Sequence, residues 1–509
     1  MATPAAPAAT RLTQTLAYRR VASQFLTPGF ADVFFLGILL TAFVLGEAGW
    51  GRLLLDGDTG LHTRIGDYII ANRTVPTTDP LSFTQFGDHS AATEWLTAVV
   101  FSLLNSAFGL KGVVFVCGIA IAAAFTFLLQ TCLLTGANGL VALILVLIAA
   151  NVSSFHFHAR PHAFTWLFLT SALYLLATDK VKQSRRIWLL IPLTILWVNF
   201  HRGYAILFAV LGVILVGTFL QGITARPVFF RYLKLWAACA LASLINPFGY
   251  KLHFETFRYL RNKTVLSMIE EFQAPVFRTE PQMLFMIMLF AGLGICGFLI
   301  ARRKYPEVLL ILSLASAALV SVRHVPIYTF VAVPLIAVEL SAFWTPWASA
   351  QPRQSIARIL HDVSGTLGAQ VRLLGIWSAV AIAALFTMST FPRDFSDERF
   401  PVAIAARHSA ELASARLYTT DQWADYLMFK NPAQKVFIDD RSYFTDTILS
   451  DALKIMAAEP GWREAVRKYQ INMVLCPAGT ALASALAEDS RWKLIDKDAQ
   501  RRLFRLEAN

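Results

Sequence analysis

Apolar runs of roughly 17–22 residues recur along most of this chain, and each has the length that a helix needs to cross the hydrocarbon core of a bilayer. Within the runs, apolar and polar residues do not alternate at every second position, which excludes a transmembrane β-barrel. The sequence therefore predicts an all-α polytopic membrane domain. The runs centre near residues 31–49, 93–108, 111–134, 139–155, 161–178, 187–200, 203–221, 232–248, 281–301, 306–321, 325–343 and 371–390.

The composition agrees with this class of protein. Of the 509 residues, 56% are hydrophobic and 15% are charged, whereas about 25% are charged in a soluble globular protein. The net charge is +12, but the Lys and Arg residues lie mostly in short loops between apolar runs. The positive-inside rule explains this distribution more simply than nucleic-acid binding, so we expect no nucleic-acid partner.

Loop charges also predict the orientation of the spans. The basic loops 179–186, 224–234, 301–305 and 351–358 should face the cytoplasm. The run 93–108 is short and contains polar residues, so we expect it to lie along the outer interface, which leaves about 11 spans. Twelve spans would place the C-terminal part in the cytoplasm instead. We predict a cytoplasmic N-terminal tail, 1–29; a membrane catalytic domain, 30–391, with an outer loop, 50–92; and an extracytoplasmic domain, 392–509. The membrane is expected to be the bacterial inner (plasma) membrane.

The segment after Phe391 is charged, mixed in composition and free of further spans, and its pattern is typical of a small α/β domain. We predict strands in "ARLYTT", "KVFIDD" and "INMVLCP", and a closing hairpin from "WKLID" and "RRLFRLE". Helices are predicted in "DQWADYLMFK", "FTDTILSDALKIMAAE" and "GWREAVRKYQ".

Polar residues that are unusual near a bilayer collect on the predicted outer side. Ionisable groups close to hydrocarbon are costly and are commonly paired or functional. We therefore expect a cavity with carboxylates on one wall and anion-binding Arg and His side chains on the other. The loop 50–92 carries Asp56, Asp58, His62 and Asp79, and Glu94 follows it. Of the 10 histidines, the outer segments contain His62, His89, His156, His158, His162, His201, His253 and His324.

In these features the chain resembles the GT-C-type glycosyltransferases, polytopic enzymes that use polyprenyl-phosphate sugars and include protein mannosyltransferase-like and aminoarabinose-transferase-like members. The resemblance rests on the order and sidedness of several motifs and covers the chain from about residue 30 to its end. The motifs are the acidic loop "DGDTGLHTRIGDYIIANRTVPTTDPLSF", then "EWL", "ARPH", "LWVNFHRG", "RHVP" and the C-terminal "KVFIDDR".

The resemblance implies that an Asp of the first outer loop is the catalytic base, framed by two juxtamembrane helices. The matching residue is Asp58, with Asp56 as its rival. The implied donor is a polyprenyl-phosphate sugar, whose phosphate would be bound by Arg160, His201, Arg202, Arg323, His158 and His324. His62, Asp79 and Glu94 are candidates for the acceptor side of the loop. Attack by an acceptor activated by one carboxylate implies inversion at the anomeric carbon. The acceptor is left open among protein, lipid and polysaccharide.

Structural roles and other classes of protein compete with these assignments. Asp56 and Asp58 could cap the helix that begins at "TGLHTRIGDYI", and Glu94 could cap the run after it. Asp79 precedes Pro80, as turn residues do, and "KVFIDDR" is typical of a turn after a strand. The chain lacks a "DE" pair in the loop, so a divalent cation beside Asp58 is left open. A transporter or flippase for a lipid-linked saccharide, and a non-catalytic assembly protein, are the alternative functions.

Overall fold

A computed structural model describes residues 28–46, 48–262, 266–267, 269–368, 375–441 and 443–507. Each predicted apolar run overlaps a helix in the described part of the chain, although the first residues of the run 371–390 lie outside it. The predicted N-terminal tail, 1–29, lies outside the described residues apart from 28 and 29. The α-helices up to residue 388 are α1 Phe30–Leu39, α2 Asp58–Asn72, α3 Trp95–Phe108, α4 Leu110–Leu134, α5 Gly139–Ser153, α6 His162–Val181, α7 Leu190–Phe200, α8 Ala205–Leu220, α9 Arg226–Ala242, α10 Lys251–Arg261, α11 Glu280–Ala301, α12 Tyr305–Val320, α13 Val325–Ser349, α14 Ile356–Gly368 and α15 Ile376–Met388.

Short helical turns extend several of these helices. The π-helical segment Leu40–Val44 continues α1, and 3₁₀ turns at Ser154–His156, Arg202–Tyr204 and Val322–His324 join successive long helices. These three turns contain or adjoin the polar motifs of the sequence. Further 3₁₀ turns lie at Gly49–Leu54, Arg185–Leu189, Ile223–Ala225 and Glu270–Phe272.

Among the described residues, 5 helices are long and apolar enough to cross a membrane: Leu110–Leu134, Gly139–His156, Arg202–Leu220, Glu280–Ala301 and Val322–Ser349, each counted with its adjoining turn. The first and last of these are mostly buried inside the protein and form the centre of the bundle. Shorter apolar helices surround them. The predicted membrane-embedded helical architecture agrees with these findings, whereas the number of about 11 spans and the side that each end faces stay predictions.

Helices α2 and α3 lie side by side next to the bundle. Gly66 permits their close approach, because a Cβ atom there would stand 2.0 Å from the carbonyl oxygen of Ala98. The 14 residues of α3 extend about 21 Å, which is less than the roughly 30 Å thickness of a bilayer core. This length fits the expectation that the run 93–108 does not cross the membrane.

The C-terminal part is a small α/β unit. Its sheet has the strand order β1-β2-β4-β3, in which β1 and β2 are parallel and the other pairs are antiparallel. The predicted hairpin is confirmed by β3 and β4. The elements are α16 Val402–Arg407, α17 Ser409–Ser414, β1 Leu417–Tyr418, α18 Asp421–Lys430, α19 Asp446–Ala457, α20 Trp462–Lys468, β2 Met473–Pro477, α21 Ala481–Glu488, β3 Trp492–Lys497 and β4 Arg501–Leu506.

The prediction of a strand in "KVFIDD" is wrong. Val436 makes only an isolated bridge to Ser82 of the first loop, so the segment lies extended against the loop and outside the sheet. The buried ion pair between Asp79 and Arg441, at 2.9 Å, fixes the same contact. A hydrophobic cluster that includes Leu61, Ala98 and Met428 joins α2, α3 and α18, so the C-terminal unit packs directly on the first loop.

Candidate active site

The start of α2 places two carboxylates side by side. One oxygen of Asp56 accepts a hydrogen bond from the Asp58 backbone N–H at 2.9 Å, which is the capping role considered for Asp56. Its other oxygen lies 2.7 Å from Arg160. The N-cap position itself is Gly57, which has no side chain to cap the helix. Asp58 lies 2.5 Å from Arg160, so its carboxylate is directed at that side chain instead of the helix end.

The "ARPH" segment positions Arg160. The Ala159 N–H donates to the carbonyl of Leu53 at 2.8 Å, and the Ala159 carbonyl accepts from the Thr59 hydroxyl at 2.8 Å. These two bonds fix the backbone next to Arg160 against the first loop. The guanidinium also lies 2.8 Å from Glu271 and 3.8 Å from Asp440. One cation therefore lies among four carboxylates from three separate parts of the chain.

Asp440 comes from the C-terminal unit, and sequence reasoning interpreted it as part of a turn. Gln422 holds it in place, because its side-chain amide donates to Asp440 at 3.4 Å while its oxygen accepts from the Gly57 N–H at 2.6 Å. Glu271 was also missed as a member of the site. The paired acids and the arginine of "KVFIDDR" were the sequence signal that could have identified Asp440, but a local motif does not show which part of the chain it contacts.

Burial and neighbouring charges act on this cluster, hereafter the acid cluster (Asp56, Asp58, Arg160, Glu271 and Asp440). Burial raises the pKa of Asp58, and the charge of Asp56 adds to this effect while Arg160 opposes it. Burial and the charge of Asp58 raise the pKa of Asp440 well above its usual range. A carboxylate with a raised pKa is a stronger base than an ordinary one, which suits proton abstraction.

A second group of residues surrounds Glu94, hereafter the Glu94 cluster (His62, Glu94, His201 and Arg202). The carboxylate of Glu94 lies 3.3 Å from His62, 3.4 Å from His201 and 3.8 Å from Arg202. Burial raises the pKa of Glu94, but the charges of His201, His62 and Arg202 outweigh this effect and lower the pKa to about 2. Glu94 is therefore ionised at neutral pH and organises the basic side chains around it.

The hydrogen bonds of His201 fix its orientation. Its Nδ1 accepts from the Gly203 N–H at 3.1 Å and lies 2.7 Å from the Thr165 hydroxyl, which itself accepts from the Trp197 ring N–H at 2.8 Å. Burial lowers the pKa of His201 to about 4, so the ring is neutral at pH 7. Because Nδ1 is an acceptor, the remaining proton is on Nε2, which faces Glu94.

Arg202 and Arg323 converge on one tyrosine. The Arg202 guanidinium lies over the ring of Tyr259 at 4.8 Å, and Arg323 donates to the Tyr259 hydroxyl at 3.5 Å. Both arginine side chains are about a quarter exposed, at 26% and 25%. Arg323 also lies 3.9 Å from Glu271 of the acid cluster. Through Tyr259, Arg323 next to the acid cluster thus lies near Arg202 of the Glu94 cluster.

The other predicted site residues lie around these groups. Burial lowers the pKa of His158; the charge of Asp56 opposes this effect, and that of Arg160 adds to it. His324 follows Arg323 in the 3₁₀ turn Val322–His324. Asp79 lies in a turn, where it accepts from the Leu81 and Ser82 N–H groups and pairs with Arg441. The structure thus places Asp79 at the contact between the first loop and the C-terminal unit.

Three carboxylates offer oxygens for a divalent cation. Oxygens of Asp56, Asp58 and Asp440 lie within 4.8 Å of one another, and carboxylate oxygens are the ligands that Mg²⁺ and Ca²⁺ prefer. The guanidinium of Arg160, however, reaches the same three residues. The three carboxylates have the right chemistry to bind a divalent cation. Because the Arg160 guanidinium contacts all three of them, it leaves no room for such an ion between their oxygens.

Comparisons with known proteins support the fold. No protein-family model matches the sequence, and no curated protein matches it. The oligosaccharyltransferase AglB from Archaeoglobus fulgidus, in complex with an inhibitory peptide and a dolichol-phosphate, is similar in structure: TM-score 0.55, 11% identity, covering 88% of this chain and 69% of AglB. The apo form of the Archaeoglobus fulgidus oligosaccharyltransferase gives a TM-score of 0.56 at 10% identity, covering 88% and 69%.

ArnT from Cupriavidus metallidurans, bound to undecaprenyl phosphate, has a TM-score of 0.50 and 14% identity, covering 93% of this chain and 97% of ArnT. The AglB complex contains dolichol-phosphate, and the ArnT complex contains undecaprenyl phosphate. The chain shares the fold of these proteins, which is the GT-C fold expected from the sequence resemblance.

Proposed function

We propose that this protein is a membrane glycosyltransferase that moves a sugar from a polyprenyl-phosphate donor to a hydroxyl acceptor, with inversion, on the outer face of the membrane. One observation supports it above the others: a buried carboxylate with a raised pKa, Asp58, lies one helical turn before His62, which contacts Glu94 together with His201 and Arg202. Inverting transfer from a lipid phosphate needs both a base and an anion-binding group.

Asp58 is the proposed general base. A hydroxyl is a weak nucleophile at neutral pH and must lose its proton as it attacks the anomeric carbon. Arg160 keeps the Asp58 carboxylate in place through the 2.5 Å contact. Because both terminal nitrogens of Arg160 contact carboxylates, its place in the structure favours positioning of the acids over phosphate binding.

The donor phosphate is proposed to bind between Arg202 and Arg323, with His201 as an additional donor. Charge builds up on the phosphate oxygens as the sugar–oxygen bond breaks, and fixed donors in a site with little water stabilise that charge. Tyr259 keeps the two guanidinium groups apart and oriented. The structures of AglB with dolichol-phosphate and ArnT with undecaprenyl phosphate make a prenyl phosphate the first donor class to test.

The test is transfer by the protein in vesicles, with radiolabelled polyprenyl-phosphate sugars as donors and lipid or peptide acceptors. We expect Asp58→Asn to lower turnover by about 10²–10⁴-fold while binding of labelled polyprenyl phosphate is retained. Asp88→Asn, an exposed carboxylate in the same loop, is the matched control. Full turnover in Asp58→Asn would contradict the base assignment. Movement of an intact lipid-linked saccharide across the vesicle membrane, without transfer, would favour the transporter alternative.

A further inference from the structure

Arg160 occupies the position that a divalent cation would need. Its Nη atoms lie 2.7 Å from Asp56, 2.5 Å from Asp58 and 3.8 Å from Asp440. These are the same three carboxylates whose oxygens lie within 4.8 Å of one another. A metal ion bound to those oxygens would lie against the guanidinium, and two cations at contact distance repel each other.

The arginine is fixed in this position by several contacts. The backbone at Ala159 is bonded to Leu53 and Thr59 of the first loop. Glu271, from a different segment, provides another contact to the guanidinium at 2.8 Å. The Arg160 side chain is 18% exposed. A guanidinium with charge-assisted hydrogen bonds to several carboxylates is ordered by them, and each bond must break before it leaves.

Arg160 also offsets part of the acidic charge without a metal ion. Four carboxylates in a small, largely buried volume need a positive charge nearby to remain together. The planar guanidinium supplies one and can bond two carboxylates at once in fixed directions. Arg160 therefore reduces the repulsion between the acids and orients them, the two structural tasks that a divalent cation would otherwise have there.

We propose that Arg160 is the built-in cation of this site: it positions Asp56, Asp58 and Asp440 in place of a divalent metal ion, and its removal opens a metal site among these carboxylates. For its effect on turnover, the proposal rests on the proposed glycosyl transfer. It makes Arg160 a positioning residue that acts through Asp58, and it assigns Asp440 of the C-terminal unit to the same site.

The experiment measures Mn²⁺ binding to the full chain in detergent by electron paramagnetic resonance. We expect the wild-type protein to bind Mn²⁺ only weakly. Arg160→Ala should bind Mn²⁺ at least about tenfold more tightly than the wild type, and the double variant with Asp440→Asn should lose that gain. Arg160→Lys, which keeps the positive charge, should behave like the wild type. Arg160→Gln, with a side chain closer in size, gives the same test if Arg160→Ala does not fold.

Two results of the binding experiment would overturn the proposal. One is Mn²⁺ bound by the wild-type protein and lost in Asp440→Asn. The other is a folded Arg160→Ala or Arg160→Gln protein that binds Mn²⁺ no better than the wild type. Turnover gives an independent check, because EDTA should leave wild-type transfer unchanged, and loss of transfer that Mn²⁺ restores would also contradict the proposal. Mn²⁺ binding does not depend on turnover, so failure of the proposed transfer reaction would leave this result interpretable.

Discussion

Asp58 and Glu94 lie near the two ends of one loop, and the side chain of each is at most 14% exposed, yet their surroundings act on them in opposite directions. Burial raises the pKa of each carboxyl group. Around Asp58, the charge of Arg160 opposes burial but that of Asp56 adds to it, and the pKa stays raised. Around Glu94, the charges of His201, His62 and Arg202 outweigh burial, and the pKa falls to about 2.

The difference shows that burial alone does not decide what a carboxylate can do. Neighbouring charges determine whether it is a base or a fixed counter-ion, and paired carboxylates in different environments can divide such roles. Asp58 is suited to accept a proton. Glu94 remains ionised and keeps basic side chains together where a phosphate is proposed to bind. His62 lies between the two groups, one helical turn after Asp58.

The largest expected difference is in turnover. Asp58→Asn removes the proposed base and should lower kcat by about 10²–10⁴-fold. Glu94→Gln should change kcat much less and act mainly on the KM for the donor, because it disturbs the positions of His201 and Arg202. Steady-state transfer assays on the two variants measure both parameters. An equal loss of kcat in the two variants would refute the division of roles.

The affinity for the donor should depend on the planar shape of the Arg202 guanidinium, which lies beside Glu94. Arg202→Lys retains the charge but loses the planar fork that matches phosphate oxygens. We expect the KM for the donor to rise about tenfold, which corresponds to about 1.4 kcal/mol, with little change in kcat. Arg185→Lys, an exposed position outside the site, is the control. An unchanged KM in Arg202→Lys would argue against phosphate binding there.

The pH dependence of transfer should report the raised pKa of Asp58. A base must be ionised to act, so kcat/KM should fall as the pH falls through a pKa above the ordinary value of 3.8. The charge of Asp56 raises that pKa, so Asp56→Asn should shift the acidic limb of the profile to lower pH. Profiles of kcat/KM for the two proteins measure this shift. A shift to higher pH would mean that Asp56 acts mainly through Arg160.

The smallest expected effect concerns Asp425, a fully buried carboxyl group behind the acid cluster. Neither of its oxygens has a hydrogen-bond partner among the described residues, and burial raises its pKa well above the usual range. A group whose pKa is raised by folding contributes stability at low pH, and that contribution is lost as the pH rises through the folded-state pKa.

Asp425→Asn should therefore match the parent protein below about pH 4, where Asp is protonated in both the folded and the unfolded protein, and be more stable at pH 8, by about 1 kcal/mol or more in the free energy of unfolding. The temperature at which the monodisperse gel-filtration peak disappears measures the difference, and Asp88→Asn should show no such pH dependence. A less stable Asp425→Asn protein at pH 8 would mean that the carboxylate has a favourable partner in solution.

Much of the candidate site could be predicted from local motifs. Five residues of the site flank apolar runs: Asp56, Asp58, Arg160, Glu94 and Arg202. Because successive spans alternate in direction, the segments that contain these residues lie at one end of the bundle. The structure brings them into two neighbouring clusters. The capping alternative was correct for one oxygen of Asp56, whereas the carboxylate of Asp58 pairs with Arg160.

The contribution of the C-terminal unit could not be predicted in this way. Gly57 and Gln422 are bonded across 365 positions of sequence, and no local pattern specifies that pairing. The unit packs closely because Gly60 leaves room for α18: a Cβ atom there would stand 2.9 Å from the side chain of Phe429. The alternation of "KVFIDD" predicted a strand, but the first loop, and not the sheet, became its partner.

The sequence by itself determined a helical membrane protein with polar groups gathered at one end, because span length, loop charge and helix periodicity are local properties. Only the tertiary structure decided which acids share Arg160 and which basic residues surround Glu94. Those contacts depend on close packing between segments far apart in sequence, and the pKa of each carboxyl group follows from them.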